Sequence, residues 1–524
     1  MSQSEHTFDA IVIGGGHNGL IAAAYLGKAG KRVLLLEAST RLGGALTTAE
    51  ISPDYRVSTA THLLDTLPKQ IEKDLKLTQH GLRYAMRKVP TIALDRDHNH
   101  IKFSVLREDA DILRRHSEAD VAAFDAYCDQ LKSVSALLRP LLFGALPDDE
   151  SSAVAKRLRR LVWRAEFMGA RKLERLMRQL PGSIGDHLDD RFESPLLKGA
   201  LALDAVIGTA NGPYEAGTAF AAMARHGLRS LSGGPHLIEG GLGGYTDALA
   251  EAALSFGVTI KAATAVREIK VVDGKVTGVL TDSDEAFEAP LVLSSAHPRK
   301  TITKLAGARH FDAGLVKQAD NITDTGATAK LNLSLEDLPT IQGLAPAEYS
   351  ARFLVVPSLD CLDEAFTAFK RGDFASTLPM EVTFPSVADP RLAPHGQHVM
   401  SILMQYVPYD VPGGWEQHRD RLVDRVLETL RVHMPDIRSR IVAGELMLPP
   451  DIERKFGLTR GGWHQGDMRI DQMLTFRPTP GMSRYATPVK GLYLCGTGSH
   501  PGSGVSGLPG KLAAEAVLKE GRRA

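Results

Sequence analysis

The apolar positions of this chain fall into short unbroken runs separated by longer amphipathic stretches. Ala10-Ile11-Val12-Ile13 is the first run; with no polar residue to give it a solvent face, it predicts a buried strand. Residues 20–29 follow, alanine-rich and ending at Gly30, and predict a helix. Residues 32–36 predict a second buried strand. Strand, helix and strand in this order predict a parallel βαβ unit.

The same alternation returns far downstream. Residues 245–256 predict an amphipathic helix and 258–261 a strand. Residues 266–272 and 275–280 flank Asp273-Gly274, a dipeptide that favours a tight hairpin. Residues 291–296 and 491–496 predict further buried strands, and 505–520 a closing helix after a loop rich in glycine, serine and histidine. Between these blocks the pattern differs. Residues 57–64 are placed to run back beneath a ligand held by the first unit. Residues 92–94 and 101–106 predict strands about a polar turn, and 119–138 a helix. In 329–335 apolar and polar residues alternate, setting Lys330, Asn332 and Ser334 on one face. Residues 379–384 and 398–406 are also extended, and 419–432 helical. The expectation is an α/β Rossmann-type domain, discontinuous in sequence, with a second α+β domain whose sheet is mostly antiparallel.

Length and composition sharpen this in few ways. A chain of 524 residues is too long for one core. Lysine and arginine (62) balance aspartate and glutamate (62), so no global field recruits nucleic acid or an anionic surface. Cys128, Cys361 and Cys495 are far apart, which argues against a redox dithiol or a zinc-thiolate site and fits a reducing, cytoplasmic setting. No metal site is expected. The stretch 153–180 is basic and amphipathic: either a solvated helix face or a surface that makes peripheral membrane contact.

Candidate chemistry begins with the turn after the first strand. Gly14-Gly15-Gly16-His17-Asn18-Gly19 is a G-x-G-x-x-G sequence between strand and helix, and Glu37 ends the next strand. That arrangement suits a dinucleotide: glycines let the backbone approach a pyrophosphate, the helix N-terminus faces it, and the acid accepts from a ribose. NAD and FAD stay equally open on these residues alone.

Further motifs carry a resemblance. Glu37-Ala38-Ser39-Thr40-Arg41-Leu42-Gly43-Gly44, the glycine run 239–244, Ser294-Ser295-Ala296-His297-Pro298, Trp463-His464-Gln465-Gly466-Asp467 and Gly498-Ser499-His500-Pro501-Gly502-Ser503-Gly504-Val505 resemble the phytoene desaturase-like branch of the flavin amine oxidase superfamily. Within it the chain is most similar to the bacterial relatives of pyridine nucleotide-disulfide oxidoreductase domain-containing protein 2. The resemblance implies an FAD-binding domain from residues 1–84, 230–305 and 461–524, and a substrate-binding domain from 85–229 and 306–460. It implies FAD contacts from Gly14, Gly16, His17, Asn18, Gly19, Glu37, Ala38, Arg41, Gly43, Gly44, Val266, Ala296, Gly496, Gly504 and Val505.

It also implies a hydride-removing oxidoreductase acting on a lipophilic, polyene- or isoprenoid-like molecule, with oxygen or a quinone as electron acceptor. A redox-neutral isomerase, a saturase and a non-catalytic FAD-containing partner-binding protein stay open. Catalytic candidates are Lys330, at a place similar to the lysine beside the flavin in amine oxidase relatives, together with His464, Asp467 and His62. Each also has a plain structural reading, as a solvent-facing lysine or a packed loop residue. The paired aromatics that sandwich an amine in true amine oxidases are missing; Tyr485 and Tyr493 lie outside the matching loop.

Overall fold

The run Ala10–Ile13 has no exposed residue because it sits mid-sheet, parallel to Val33–Leu36 on one side and to Val292–Ser294 on the other. Strands Thr259–Lys261 and Leu492–Leu494 complete a five-stranded parallel sheet in the order 492–494, 292–294, 10–13, 33–36, 259–261. Strands distant in sequence thus build one sheet, as the returning α/β pattern predicts. Helix His17–Lys28 covers it and packs against helices Leu242–Ser255 and Leu508–Glu520. Its Leu20, Ile21 and Leu26 are completely buried, each contributing about 1.5–3 kcal/mol of burial. This computed structural model describes residues 6–104, 109–144, 146, 174, 177–502 and 504–521. The basic stretch 153–180 thus lies outside the described residues, apart from Glu174 and 177–180. Among the described residues no helix is long and apolar enough to cross a membrane.

The predicted hairpin forms between Val266–Val272 and Lys275–Thr281, where Asp273 and Gly274 both take positive φ (49° and 71°). Positive φ at both central residues gives the turn a twist that matches the right-handed twist of the flanking strands.

The second sheet has seven strands in the order Ile441–Met447, Thr328–Leu335, His398–Gln405, Met380–Thr383, Arg352–Val355, Thr91–Ala93, Ile101–Lys102. Neighbours are antiparallel except 352–355 with 91–93. It is therefore mostly antiparallel, but the alternating strand Thr328–Leu335 has no solvent face: all of its residues are buried. Leu331 and Leu333 join an apolar core on one side, with Val382, Ile402 and helix Arg419–Arg431. The polar alternates Lys330, Asn332 and Ser334 lie on the other side, facing protein rather than water. Helices Pro195–Val206 and Thr218–Ser232 contribute to the core on that second face.

The closing helix starts at Leu508, after Gly507 in the left-handed region, rather than at Val505. Gly504 and Val505 belong to the preceding turn.

Candidate functional site

A cavity of about 770 Å³ runs along the C-terminal ends of the parallel strands and under the second sheet. Gly14, Gly16, His17, Asn18, Glu37, Ala38, Arg41, Gly43, Gly44, Val266, Ala296, Gly496, Gly504 and Val505 all line it. Gly19 does not. A Cβ there would stand 1.9 Å from the Gly14 carbonyl oxygen, so this glycine lets helix and strand close up. At Gly16 an added Cβ meets nothing within 4 Å; here glycine keeps the space clear for a ligand.

No side chain caps helix His17–Lys28, so its first-turn N–H groups and positive dipole end are offered to an anion. Buried His17 Nε2 and Thr66 Oγ1, both on lining residues, have no hydrogen-bond partner among the described residues. Burial pushes the His17 imidazole down to about 4, so it is neutral at pH 7. Glu37 accepts from the Gly15 N–H (2.6 Å) and the Ser39 N–H (2.7 Å), which fixes its carboxylate on the wall. Each oxygen keeps a further lone pair for a ribose hydroxyl. Orphaned polar atoms, an uncapped helix end and a fixed acid around a hollow fit a dinucleotide.

The wall formed by 295–296, 463–465, 496–497 and 504–505 is pinned from behind. Gln465 donates to Ser295 O (3.2 Å) and accepts from Gly498 N–H (3.1 Å); Asn18 Nδ2 donates to Thr497 Oγ1 (3.1 Å). The buried Arg477 guanidinium donates to the carbonyls of His464, Gly466, Asp467, Gln472 and Thr497. His464 lines the cavity. Burial, with the charges of Arg477 and Arg225, pushes its pKa down to about 3. Asp467 does not line the cavity. Its Oδ1 accepts from Thr325 N–H (3.0 Å) and its backbone N–H donates to Thr323 O (2.8 Å), joining the loop to the neighbouring segment. Tyr485 and Tyr493 are buried in the core of the parallel sheet. Among the described lining residues the aromatics are Phe456 and Trp463.

The sheet register assembles a further group. Lys330 and Glu381 both stand opposite Leu403, on either side of its strand. They are two strand spacings apart, about 10 Å. His62 stands between the two side chains: Lys330 Nζ lies 2.8 Å from Nδ1, and Nε2 lies 2.7 Å from Glu381 Oε1. Arg352 Nε donates to Glu381 Oε2 (2.5 Å) and its Nη2 to Asp204 Oδ1 (2.6 Å). Arg229 pairs with Asp204, and Arg229 and Arg225 reach Asp65 Oδ2 at 3.4 and 3.5 Å. Glu381, Asp65, Arg225 and Arg229 open onto the cavity beside Ile207, Leu63, Leu403 and Trp463. Lys330 and His62 stand one layer behind it.

Burial alone would raise the Glu381 carboxyl, but Arg352 and the His62 hydrogen bond hold it well below the usual range. Burial pushes His62 down to about 4 and Lys330 to about 7, against the attraction of Glu381. Sequence reasoning singled out Lys330, His62 and His464 and missed Glu381, Arg352, Asp204, Arg225, Arg229 and Asp65. A usable signal was present: Asp204 in Leu-Ala-Leu-Asp-Ala-Val and Arg352 before Phe-Leu-Val-Val are lone charges in apolar runs, which require buried partners.

Comparison with known proteins agrees with this geometry. The family described as flavin containing amine oxidoreductase matches residues 19–518. The chain is 33% identical to the rat pyridine nucleotide-disulfide oxidoreductase domain-containing protein 2, over 98% of this chain and 94% of that one. It is 26% identical to one of the limonene dehydrogenase chains of Castellaniella defragrans, over 98% and 94%. A more distant relative is the lycopene-forming phytoene desaturase of Pseudescherichia vulneris, 28% identical over 53% of this chain and 55% of that one. The crystal structure of an oxidoreductase from Methanosarcina mazei shares the fold, with a TM-score of 0.62 at 19% identity, over 97% of this chain and 99% of that one. The chain belongs to the flavin-containing amine oxidoreductase family, with phytoene desaturases among its distant relatives.

Proposed function

We propose that this protein is an FAD-dependent dehydrogenase or desaturase that removes hydride from a lipophilic, isoprenoid-like molecule. The observation that carries the reading is the composition of the cavity wall beside the charged line: Ile207, Leu63, Leu403 and Trp463, with no stacked aromatic pair among the described lining residues. Such a wall favours a hydrocarbon held by burial. Limonene and phytoene, named for two relatives, are hydrocarbons of that class.

In this reading Gly14, Gly16, His17, Asn18, Glu37, Ala38, Arg41, Gly43 and Gly44 hold the nucleotide half of FAD, with Gly19 closing the helix onto the strand. Val266 borders the adenine, and Ala296, Gly496, Gly504 and Val505 border the ring. Bound there, FAD supplies a hydride acceptor that oxygen or a quinone later reoxidises. The chain's own residues exclude water and fix polarity. His464, neutral across the physiological range, offers polarity without charge, and Arg352 holds the Glu381 carboxylate ionised at the wall.

The reading is tested by incubating the holoprotein with limonene or phytoene and a soluble quinone and weighing the products by mass spectrometry. A product lighter by two hydrogens is expected. A product of unchanged mass with a shifted double bond would replace this reading by the isomerase one, and no product from any such hydrocarbon would overturn it.

A further inference from the structure

Taking two hydrogens from a hydrocarbon as a hydride and a proton needs a second acceptor, since the proton must leave from the neighbouring carbon. Glu381 is the carboxylate of the Lys330–His62–Glu381 line that reaches the cavity. We propose that Glu381 is the cavity-wall acceptor of that proton, and that His62, backed by Lys330, forms the buried line that fixes its carboxylate. The proposal rests on the dehydrogenase reading above.

The geometry supports each link. Arg352 grips one Glu381 oxygen and His62 the other, so the carboxylate is held by two elements. Glu381, Asp204 and Asp65 are matched by Arg352, Arg229 and Arg225, so the pairs among them are balanced. Lys330 is extra: completely buried, it has no carboxylate within ion-pair distance among the described residues, and its amine meets the imidazole of His62. A lysine so placed donates to His62 Nδ1 and fixes the tautomer whose Nε2–H donates to Glu381. The charged and titratable groups that face the line are Arg352 from strand Arg352–Val355, Arg225 from helix Thr218–Ser232, and Asp204 behind Arg352.

Once hydride has left one carbon, the C–H bond on its neighbour breaks and its electron pair becomes the new double bond. The proton forms an O–H bond on Glu381. That carboxyl releases its proton to water in the cavity once product has left, and Glu381 returns to carboxylate. Throughout, neutral His62 keeps its proton on Nε2, donating to Glu381 Oε1, and presents the Nδ1 lone pair to Lys330. A carboxylate of low proton affinity is sufficient, because a C–H bond beside an electron-deficient carbon is strongly acidic.

Glu381 acts on substrate; His62 and Lys330 are positioning residues that act through it. Two measurements separate this inference from the dehydrogenase reading. In the first, nitrogen-15 NMR follows histidine-labelled holoprotein, with His62 assigned by its loss in His62→Gln. His62 is expected to stay neutral from about pH 6 to about pH 9. Its Nδ1 resonance should shift with a midpoint near 7 as Lys330 loses its proton, and Lys330→Met should abolish that shift. A His62 that gains charge in this range, or a shift that persists in Lys330→Met, overturns the line whatever the substrate is.

The second measurement is the anaerobic reductive half-reaction with limonene or phytoene. Glu381→Gln should slow it by about 100-fold or more while leaving the probe's Kd within about threefold. Glu381→Asp, which keeps the charge should the amide disturb folding, should recover part of the rate. Lys330→Met should flatten the pH profile near 7. Wild-type rates in well-folded Glu381→Gln overturn Glu381 as the acceptor. If neither hydrocarbon reduces the wild-type flavin, the dehydrogenase reading fails, while the NMR result still decides the buried line.

Discussion

At the scale of residues, the site depends on charges that the fold has removed from water. Arg352 is 2% exposed and holds Glu381 and Asp204 at once. Removing it leaves the buried Glu381 carboxylate with His62 alone and takes one of two arginines from half-buried Asp204, so Arg352→Ala should cost about 3–5 kcal/mol in urea unfolding. Arg352→Lys keeps the charge without the planar fork and should fall between; equal stability of wild type and Arg352→Ala would show that the ion pairs are not formed. Lys330 makes a pH-dependent counterpart. Its folded value of about 7 lies below the ordinary 10.5. Between those values the unfolded chain binds more protons than the folded one, so its contribution to stability rises with pH across that window and is at its worst below about 7. The stability of wild type relative to Lys330→Met should therefore rise from pH 7 towards pH 10, by up to about 1.4 kcal/mol per unit; parallel pH curves would refute it. Gly14, Gly16, Glu37 and Gly43 were legible in the sequence because their work is local, set by spacing along one turn. Glu381 and Arg352 were not, because strand register alone brings them to Lys330 and His62.

At the scale of elements, the first strand–turn–helix unit is the most constrained part of the chain. The Gly14 carbonyl stands where a Gly19 Cβ would go. Gly19→Ala must push helix His17–Lys28 outward, misaligning the N–H groups that face the anion. The variant should be purified with most of its flavin lost, seen as a collapsed ratio of flavin to protein absorbance, and full flavin content would show that the helix does not hold the phosphates. The turn region 463–498 depends on Arg477 in a comparable way. Its guanidinium answers carbonyls from several turns, and Arg477→Met leaves them buried and unsatisfied, at about 1–3 kcal/mol each before relaxation. A clear drop in Tm is expected, and an unchanged Tm would mean that water replaces the guanidinium.

Element types were largely readable: the apolar runs became the strands of the parallel sheet, and Asp273-Gly274 became the hairpin turn. The alternating strand 329–335 misled, because alternation records two unlike faces and says nothing of whether the polar one meets water. Here it meets the segment 52–62, where Ser334 Oγ lies 2.7 Å from Ser52 Oγ and Lys330 Nζ lies 2.8 Å from His62 Nδ1.

At the scale of the whole molecule, the parallel sheet presents the dinucleotide turn and the mostly antiparallel sheet presents the charged line, and one cavity is lined by both. The first is recognisable from a short stretch of sequence. The second arises only when helices 195–206 and 218–232 are brought over strands from residues 328–405, so sequence alone could place a cofactor but not the groups opposite it. The central claim, that this chain uses a bound flavin to take hydride from an isoprenoid-like hydrocarbon, is met most directly by the absorbance spectrum of the holoprotein mixed anaerobically with limonene, phytoene and related isoprenoids. The oxidised flavin band should bleach with at least one of them and return on admitting oxygen or a quinone. A flavin that dithionite reduces but no isoprenoid does would contradict the account.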